Sequence, residues 1–305
     1  MSVPLQTLAE RASVETTPRR SRSAYDQMSR AAVAGSAMVV GTSATIQVAA
    51  AIAHDLFARL GASGTSALRF ALAALLLLAL VRPAFQRDAT TWRAIVAYGL
   101  SLAALNVTFF EAIERIPMGI AVTFGFVCPL VMALVASRRR VDVGWAVLAG
   151  AGVVILGGID RPDSLAGIAF ATCAGAAWVV VAHAGRRVGA RTRRLEGLAL
   201  ATAIASLATL PLGLPHVGAL DPRSLAIGTL IAVFGMIVPF AFELQALRIL
   251  EPRVVAVVYS VDPAIGAIVG LLALGERITA LQIAGMVAVM VAAAGATATT
   301  APADV

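Results

Sequence analysis

Apolar runs of about twenty residues, without strand-like alternation, follow one another along almost the whole chain. Ten can be placed, at 34–57, 64–82, 92–112, 117–137, 143–159, 164–184, 195–213, 223–247, 252–274 and 278–298. Each can cross a ~30 Å hydrocarbon layer as a helix, and the alternating ~10-residue segments of a membrane barrel are missing. The connections are short and carry Arg, Pro, Gly and Asp. The pattern predicts an all-α integral membrane protein of ten transmembrane helices. Residues 1–33 are polar and predict a disordered cytoplasmic tail, with a second short tail at 299–305. No short apolar region with a small-residue cleavage site follows Arg19-Arg20 at once, so the first apolar run reads as a retained helix.

Composition agrees. Hydrophobic residues make up 59% and charged residues 13%, against about 25% charged in soluble domains. A soluble core of this size would need a polar surface the chain cannot supply. All 24 basic side chains are arginines. With the N-terminus inside, inward-facing segments hold 18 arginines and outward-facing ones hold Arg59, Arg115, Arg161, Arg223 and Arg277, with Arg69 inside a helix. That bias predicts both termini in the cytoplasm, and it explains the basic balance without a nucleic-acid partner. Cys128 and Cys173 lie in apolar runs with no ligand at metal spacing, so neither a disulfide nor a metal site is expected.

The chain also echoes itself. Placing Pro129 on Pro263 brings Ala112 onto Ala246 and Ile113 onto Leu247, a shift of 134 residues. Tyr98-Gly99 matches Phe234-Gly235, and Ala53-His54 matches Ala182-His183, at nearby shifts. Such a period spans five helices, an odd number, so the second copy would enter the membrane upside down. The expected units are 34–160 and 161–298. Inverted repeats place a substrate site at their interface near the midplane.

Asp262 is the strongest candidate for chemistry. It sits about ten residues inside the ninth segment, ~15 Å from the nearer end, where a charge is costly and usually marks a pathway. It can bind an ammonium group, carry a proton, or merely pin two helices as a hydrogen-bonded acid. Pro263 beside it frees a backbone carbonyl one turn back, and Pro129 and Pro239 are read as helix breaks of the same kind. Glu243 is a second carboxylate, about one turn from the cytoplasmic end, which can line the pathway or snorkel. Arg69, ~7.5 Å deep, can grip a carboxylate, snorkel, or pair with Asp55 or Asp262. Gln47 and Asn106 can line a cavity or bond helix to helix. Glu111, Glu114 and Arg115 read as a solvated outer lip, and His54 and His183 as interfacial residues. Gly266 and Gly270 read as close helix packing. No catalytic constellation, phosphate loop or cofactor motif is present.

Several runs resemble the threonine/homoserine exporter type of EamA transporter, within the drug/metabolite transporter superfamily. They are Ile46-Gln47, Thr65-Ser66-Ala67-Leu68-Arg69, Tyr98-Gly99-Leu100-Ser101 with Asn106, and Ile116-Pro117-Met118-Gly119. The second copy adds Val238-Pro239, Glu243, Asp262-Pro263-Ala264 and Leu274-Gly275-Glu276. The resemblance covers roughly 35–298. It implies two inverted EamA repeats, a central cavity, and export of amino acids or related metabolites across the inner membrane. It carries Gln47, Arg69, Asn106, Glu243 and Asp262 over as polar pathway residues. The chain departs from the pattern at Gly125, where relatives carry glutamate, at Asp262, where they carry the longer Glu, and at His54, where they carry lysine.

The resulting expectation is an exporter of small polar metabolites working by alternating access and proton antiport, without cofactor. Asp262, with Glu243, would alternate between proton and substrate amine, and Arg69 would hold a carboxylate or tune Asp262. The alternatives are an exporter of drug-like or aromatic compounds and a non-transporting membrane scaffold. The sequence assigns no oligomeric state.

Overall fold

The computed structural model describes residues 19–83, 88–136, 140–157, 162–193, 195–250 and 252–299. Residues 1–18 and 300–305 of the expected tails, and the loop arginines Arg87, Arg138, Arg139, Arg161 and Arg194, lie outside the described residues. The described chain is helical, with no strand. Its helices are α1 (Arg19–His54), α2 (Phe57–Val81), α3 (Ala89–Ile113), α4 (Met118–Ala136), α5 (Arg140–Gly157) and α6 (Pro162–Arg191). There follow α7 (Glu196–Gly213), a 3₁₀ segment Leu214–Ala219, α8 (Pro222–Ala232), α9 (Val238–Ile249), α10 (Pro252–Tyr259), α11 (Asp262–Ala273) and α12 (Ala280–Thr299).

Among the described residues, six stretches are long and apolar enough to cross a membrane: Val33–His54, Phe57–Val81, Ala89–Ile113, Leu165–Arg191, Glu196–Ala219 and Pro222–Phe240. Four shorter apolar helices span Met118–Met132, Val143–Leu156, Val257–Ala273 and Ala280–Ala296. Large apolar side chains point outward, Val154 at 75% and Leu272 at 79% exposure. That is the outside of a protein solvated by lipid rather than water.

Several expectations shift. The polar stretch 19–33 is not an unstructured tail, because α1 reaches back to Arg19. No Gly or Pro falls between 19 and 34, and Ala, Arg and Met favour helix even without an apolar face. Helix α2 begins at Phe57 rather than 64, and it bends at Gly61, whose φ of 64° only glycine adopts readily. Pro129 breaks nothing: α4 runs through it, as membrane helices can when neighbours accommodate the freed carbonyl. The eighth and ninth segments, expected as single helices, are each divided. A π turn at Val233–Ile237 separates α8 from α9, and a turn at Ser260-Val261 separates α10 from α11.

Helix α1 packs on α8 and α9 and touches α10 and α11; α3 packs on α6 and α7; α2 on α7 and α8; α4 on α6 and α11; α5 on α12. Glycines allow the tightest approaches. A Cβ on Gly175 of α6 would lie 2.2 Å from the Gly125 carbonyl oxygen of α4, and one on Gly99 of α3 would lie 2.5 Å from the Ala201 oxygen of α7. Gly152 and Gly285 bring α5 and α12 together in the same way. Gly266 faces Val122 and Gly119 of α4, as close packing predicts, whereas Gly270 leaves room for the Glu276 carboxylate.

Candidate functional site

The turn between α10 and α11 places the central carboxylate. The Ser260 and Val261 amides reach back only three residues, to the Val257 and Val258 carbonyls, at 3.2 and 3.1 Å. The chain then restarts as α11 with Asp262 and Pro263 in its first turn, where the missing proline N–H costs no helical bond. Pro263 therefore does mark a break. Asp262 sits at the N-terminus of a half-helix, where the backbone dipole favours negative charge. It is 6% exposed and accepts a hydrogen bond from the Ser43 hydroxyl of α1.

A second carboxylate joins it. Tyr259, the last residue of α10, lies close enough to Glu243 of α9 and Thr42 of α1 for their polar side chains to interact. Glu243 is close enough to Asp262 for the two charges to interact. The Thr42 hydroxyl lies 3.0 Å from the Met38 oxygen and 3.3 Å from the Pro239 oxygen. Thus Thr42, Ser43, Glu243, Tyr259 and Asp262 form one polar cluster from α1, α9, α10 and α11. One turn along α1 from Ser43, Gln47 is 4% exposed. It lies beside Gly266 of α11, and its Oε1 has no hydrogen-bond partner. A row of edge-on rings runs from Tyr259 to Trp178 to Phe126, with centroids 6.2 and 5.1 Å apart.

Arg69 and Asn106 lie apart from this cluster. Arg69 is 8% exposed. It donates to the Gly235 carbonyl at 2.5 Å and lies over the Phe110 ring, 5.7 Å from its centroid. It forms no ion pair with Asp55 or Asp262. Its Nε is buried without a partner, as is Oδ1 of Asn106 on α3, a residue one turn from Phe110. Pro239 sits in the first turn of α9, after the π turn. Arg115 pairs with Glu111 at 2.7 Å and Glu114 at 3.3 Å, the expected lip. His54 lies tilted against the Phe57 ring, and His183 reaches its own helix at the Val179 carbonyl.

Sequence reading singled out Asp262 and Glu243 but not the hydroxyls that join them. The signal was present: Ser43 and Gln47 are four apart in one helix and share a face, and Tyr259 is one turn before Asp262. Among the described residues no group of three or more His, Cys, Asp or Glu side chains could hold a metal.

A helix broken at a buried carboxylate, inside a lipid-facing helical bundle, is a build met in membrane transporters. Residues 165–298 match the EamA-like transporter family. The chain is 38% identical over 261 residues to the threonine/homoserine exporter RhtA of Salmonella typhimurium strain SL1344, covering 84% of this chain and 88% of that one. It is 37% identical over 262 residues to the threonine/homoserine exporter RhtA of Escherichia coli K12, with the same coverage, 84% and 88%. A crystal structure at 21% identity superposes with a TM-score of 0.56 over 88% of this chain and 96% of that one, so the fold is shared. The chain belongs to the EamA-like transporter family.

Proposed function

We propose that this protein exports small polar amino acids, threonine- and homoserine-like, across the inner membrane by alternating access and proton antiport. The observation that carries the mechanism is Asp262 held at a helix break by Ser43 and linked to Glu243 through Tyr259. An uncompensated charge there is costly. A proton and a substrate ammonium are two ways of neutralising the same carboxylates, so the site takes one or the other, and outward substrate movement is tied to inward proton movement. Along α1, Ser43 faces Asp262 while Ala49 faces Gly235 beside Arg69. Six residues of helix are about 9 Å of rise and about 240° of rotation, so these points lie on different faces of α1; the ammonium would sit on Asp262, and the unpartnered Nε of Arg69 is the cation the bundle offers to a carboxylate. Gln47, between them, offers a free acceptor to a substrate hydroxyl.

The architecture supports ten passes in two inverted repeats, 34–160 and 161–298. Counting α8 with α9 as the eighth pass and α10 with α11 as the ninth, each pass n corresponds to pass n+5. Passes 1 and 8 pack together, as do 6 and 3; passes 4 and 6 do, as do 9 and 1; passes 3 and 7 do, as do 8 and 2. The pairs 2–7, 4–9 and 5–10 also pack and map onto themselves. An even count with the arginine bias puts both termini in the cytoplasm.

The test is uptake of labelled threonine or homoserine into inside-out vesicles, with and without an acid interior. Uptake driven by the gradient and lost in Asp262→Asn is expected; uptake in Asp262→Asn with an unchanged response to the gradient refutes the coupling. The Phe126–Trp178–Tyr259 row beside the carboxylates favours one other substrate class, aromatic or amphiphilic amines. Competition of such compounds against threonine separates the two.

A further inference from the structure

The π turn at Val233–Ile237 has a consequence for Glu243. Its closing bond runs from the Val238 amide to the Val233 carbonyl, five residues back. A π turn inserts one residue into a helix, and one residue is about 100° of rotation and ~1.5 Å of rise. Everything beyond it, Glu243 included, is therefore turned by about a quarter of a circle relative to an uninterrupted helix. In this phase Glu243 lies within interaction reach of Tyr259 and Asp262.

Such a turn leaves backbone groups unpaired, and here the proline makes the deficit definite. In α register the Gly235 carbonyl would receive the amide of residue 239, which is Pro239 and has none. The Arg69 guanidinium of α2 supplies the missing donor at 2.5 Å. Gly235 admits it: a Cβ there would lie 3.1 Å from both Cζ and a terminal nitrogen of Arg69, and 3.1 Å from Ala49 Cβ of α1. The Phe110 face receives the same cation. A buried arginine, a glycine, a proline and a π turn thus converge on one carbonyl.

We infer that Arg69 is a positioning residue for Glu243: by taking the Gly235 carbonyl it locks the π turn that aims this carboxylate at Tyr259 and Asp262. This role rests on the reading of Glu243 and Asp262 as the transport site, and it is separate from any contact between Arg69 and substrate. The N–H that Arg69 provides can be provided another way. In Pro239→Ala the residue-239 amide is in register with the Gly235 oxygen, while the Val238 to Val233 bond, and hence the phase, is kept.

The experiment follows labelling of Glu243→Cys by a water-soluble maleimide in vesicles, in a Cys128→Ser, Cys173→Ser background. A thiol in a hydrated cavity reacts and one turned to lipid does not, because the thiolate is the reactive species. With Arg69 present, position 243 labels. In Arg69→Met its rate falls by about tenfold, and in Arg69→Met with Pro239→Ala it returns to within about twofold of the parent. Equal labelling in Arg69→Met, or no recovery with Pro239→Ala, overturns the inference. If Arg69→Met does not accumulate in the membrane, accumulation restored by Pro239→Ala supports it and accumulation not restored overturns it. No substrate enters this assay, so a failure to transport amino acids leaves it intact. Transport still absent when labelling recovers would assign Arg69 its additional contact with the substrate carboxylate.

Discussion

The Glu276 carboxylate receives the Met118 amide, at 2.9 and 3.0 Å, and so caps the first turn of α4 from the link between α11 and α12. Two facts make the contact possible. Gly275 takes a φ of 66°, which turns the chain sharply after α11. Gly270 has no Cβ, and one there would lie 2.1 Å from a Glu276 oxygen. Glu276→Ala therefore removes a cap and is expected to cost about 1 kcal/mol. Gly270→Ala should cost a similar amount by displacing the carboxylate, and little more once Glu276 is alanine. Thermal unfolding of both single variants and the double variant in detergent measures this, and additive losses would show that the two residues are not coupled. Burial raises the Glu276 carboxyl, and the Met118 amide offsets this only in part. Stability from this group is fullest at pH below the ordinary glutamate value of about 4.3 and declines as pH rises past it.

Asp221 behaves in the opposite sense. It caps α8 by accepting the Ser224 amide at 2.7 Å, and it receives Arg59, from the other half of the chain, at 2.7 Å. The Arg59 hydrogen bond first, then those from Ser224, hold its carboxyl well below the usual range. A depressed value means its stabilisation is complete above about pH 4 and is lost as pH falls further. The melting temperatures of wild type and Asp221→Asn should differ at pH 7, and the gap should begin to narrow as pH falls below about 4. Both side chains of the pair are exposed, so high salt should narrow the gap at pH 7 as well. A gap that widens in acid would reverse the assignment.

Gly125 and Gly175 face each other across α4 and α6 but differ in tolerance. A Cβ on Gly175 would lie 2.2 Å from the Gly125 oxygen, so one helix must move. A Cβ on Gly125 would meet nothing closer than the Ala171 oxygen at 3.8 Å. Gly175→Ala should cost on the order of 1–3 kcal/mol, as overpacking does, while Gly125→Ala should be near neutral. Accumulation and melting temperature of the two alanine variants decide the matter; equal sensitivity at both positions would refute it.

The membrane fold was legible because lipid demands long apolar helices, and the runs at 92–112 and 195–213 show it directly. Asp262 and Pro263 were legible because a carboxylate beside a proline has little reason to lie in hydrocarbon. What pattern did not show was phase. Nothing in the apolar run 223–247 announces an inserted residue, because one extra leucine, valine or phenylalanine still reads as apolar. Pro129 and Pro263 look alike in the sequence, yet α4 continues through the first and α11 begins at the second. The pairing of Arg69 with a backbone carbonyl rather than a carboxylate was equally hidden. The carbonyl belongs to Gly235, 166 residues away, and its need for a donor arises from Pro239.

Ser43, Tyr259 and Asp262 allow the transport site to be taken apart in steps. If Asp262 is the shared proton and ammonium site, Asp262→Asn abolishes gradient-driven uptake, because an amide cannot exchange a proton for a cation. Ser43→Ala keeps the carboxylate but removes its hydroxyl donor. Loss of one charge-assisted bond of about 1.5 kcal/mol should weaken apparent substrate affinity by about tenfold while leaving coupling in place. Tyr259→Phe keeps the ring that packs on Trp178 and removes the link between Glu243 and Thr42. It should preserve folding and change the pH dependence of uptake, since Glu243 then loses the donor that joins it to the cluster. Uptake measured across an external pH series for the three variants separates these outcomes. A Tyr259→Phe profile superimposable on wild type would remove Glu243 from the proton pathway and leave Asp262 to act alone.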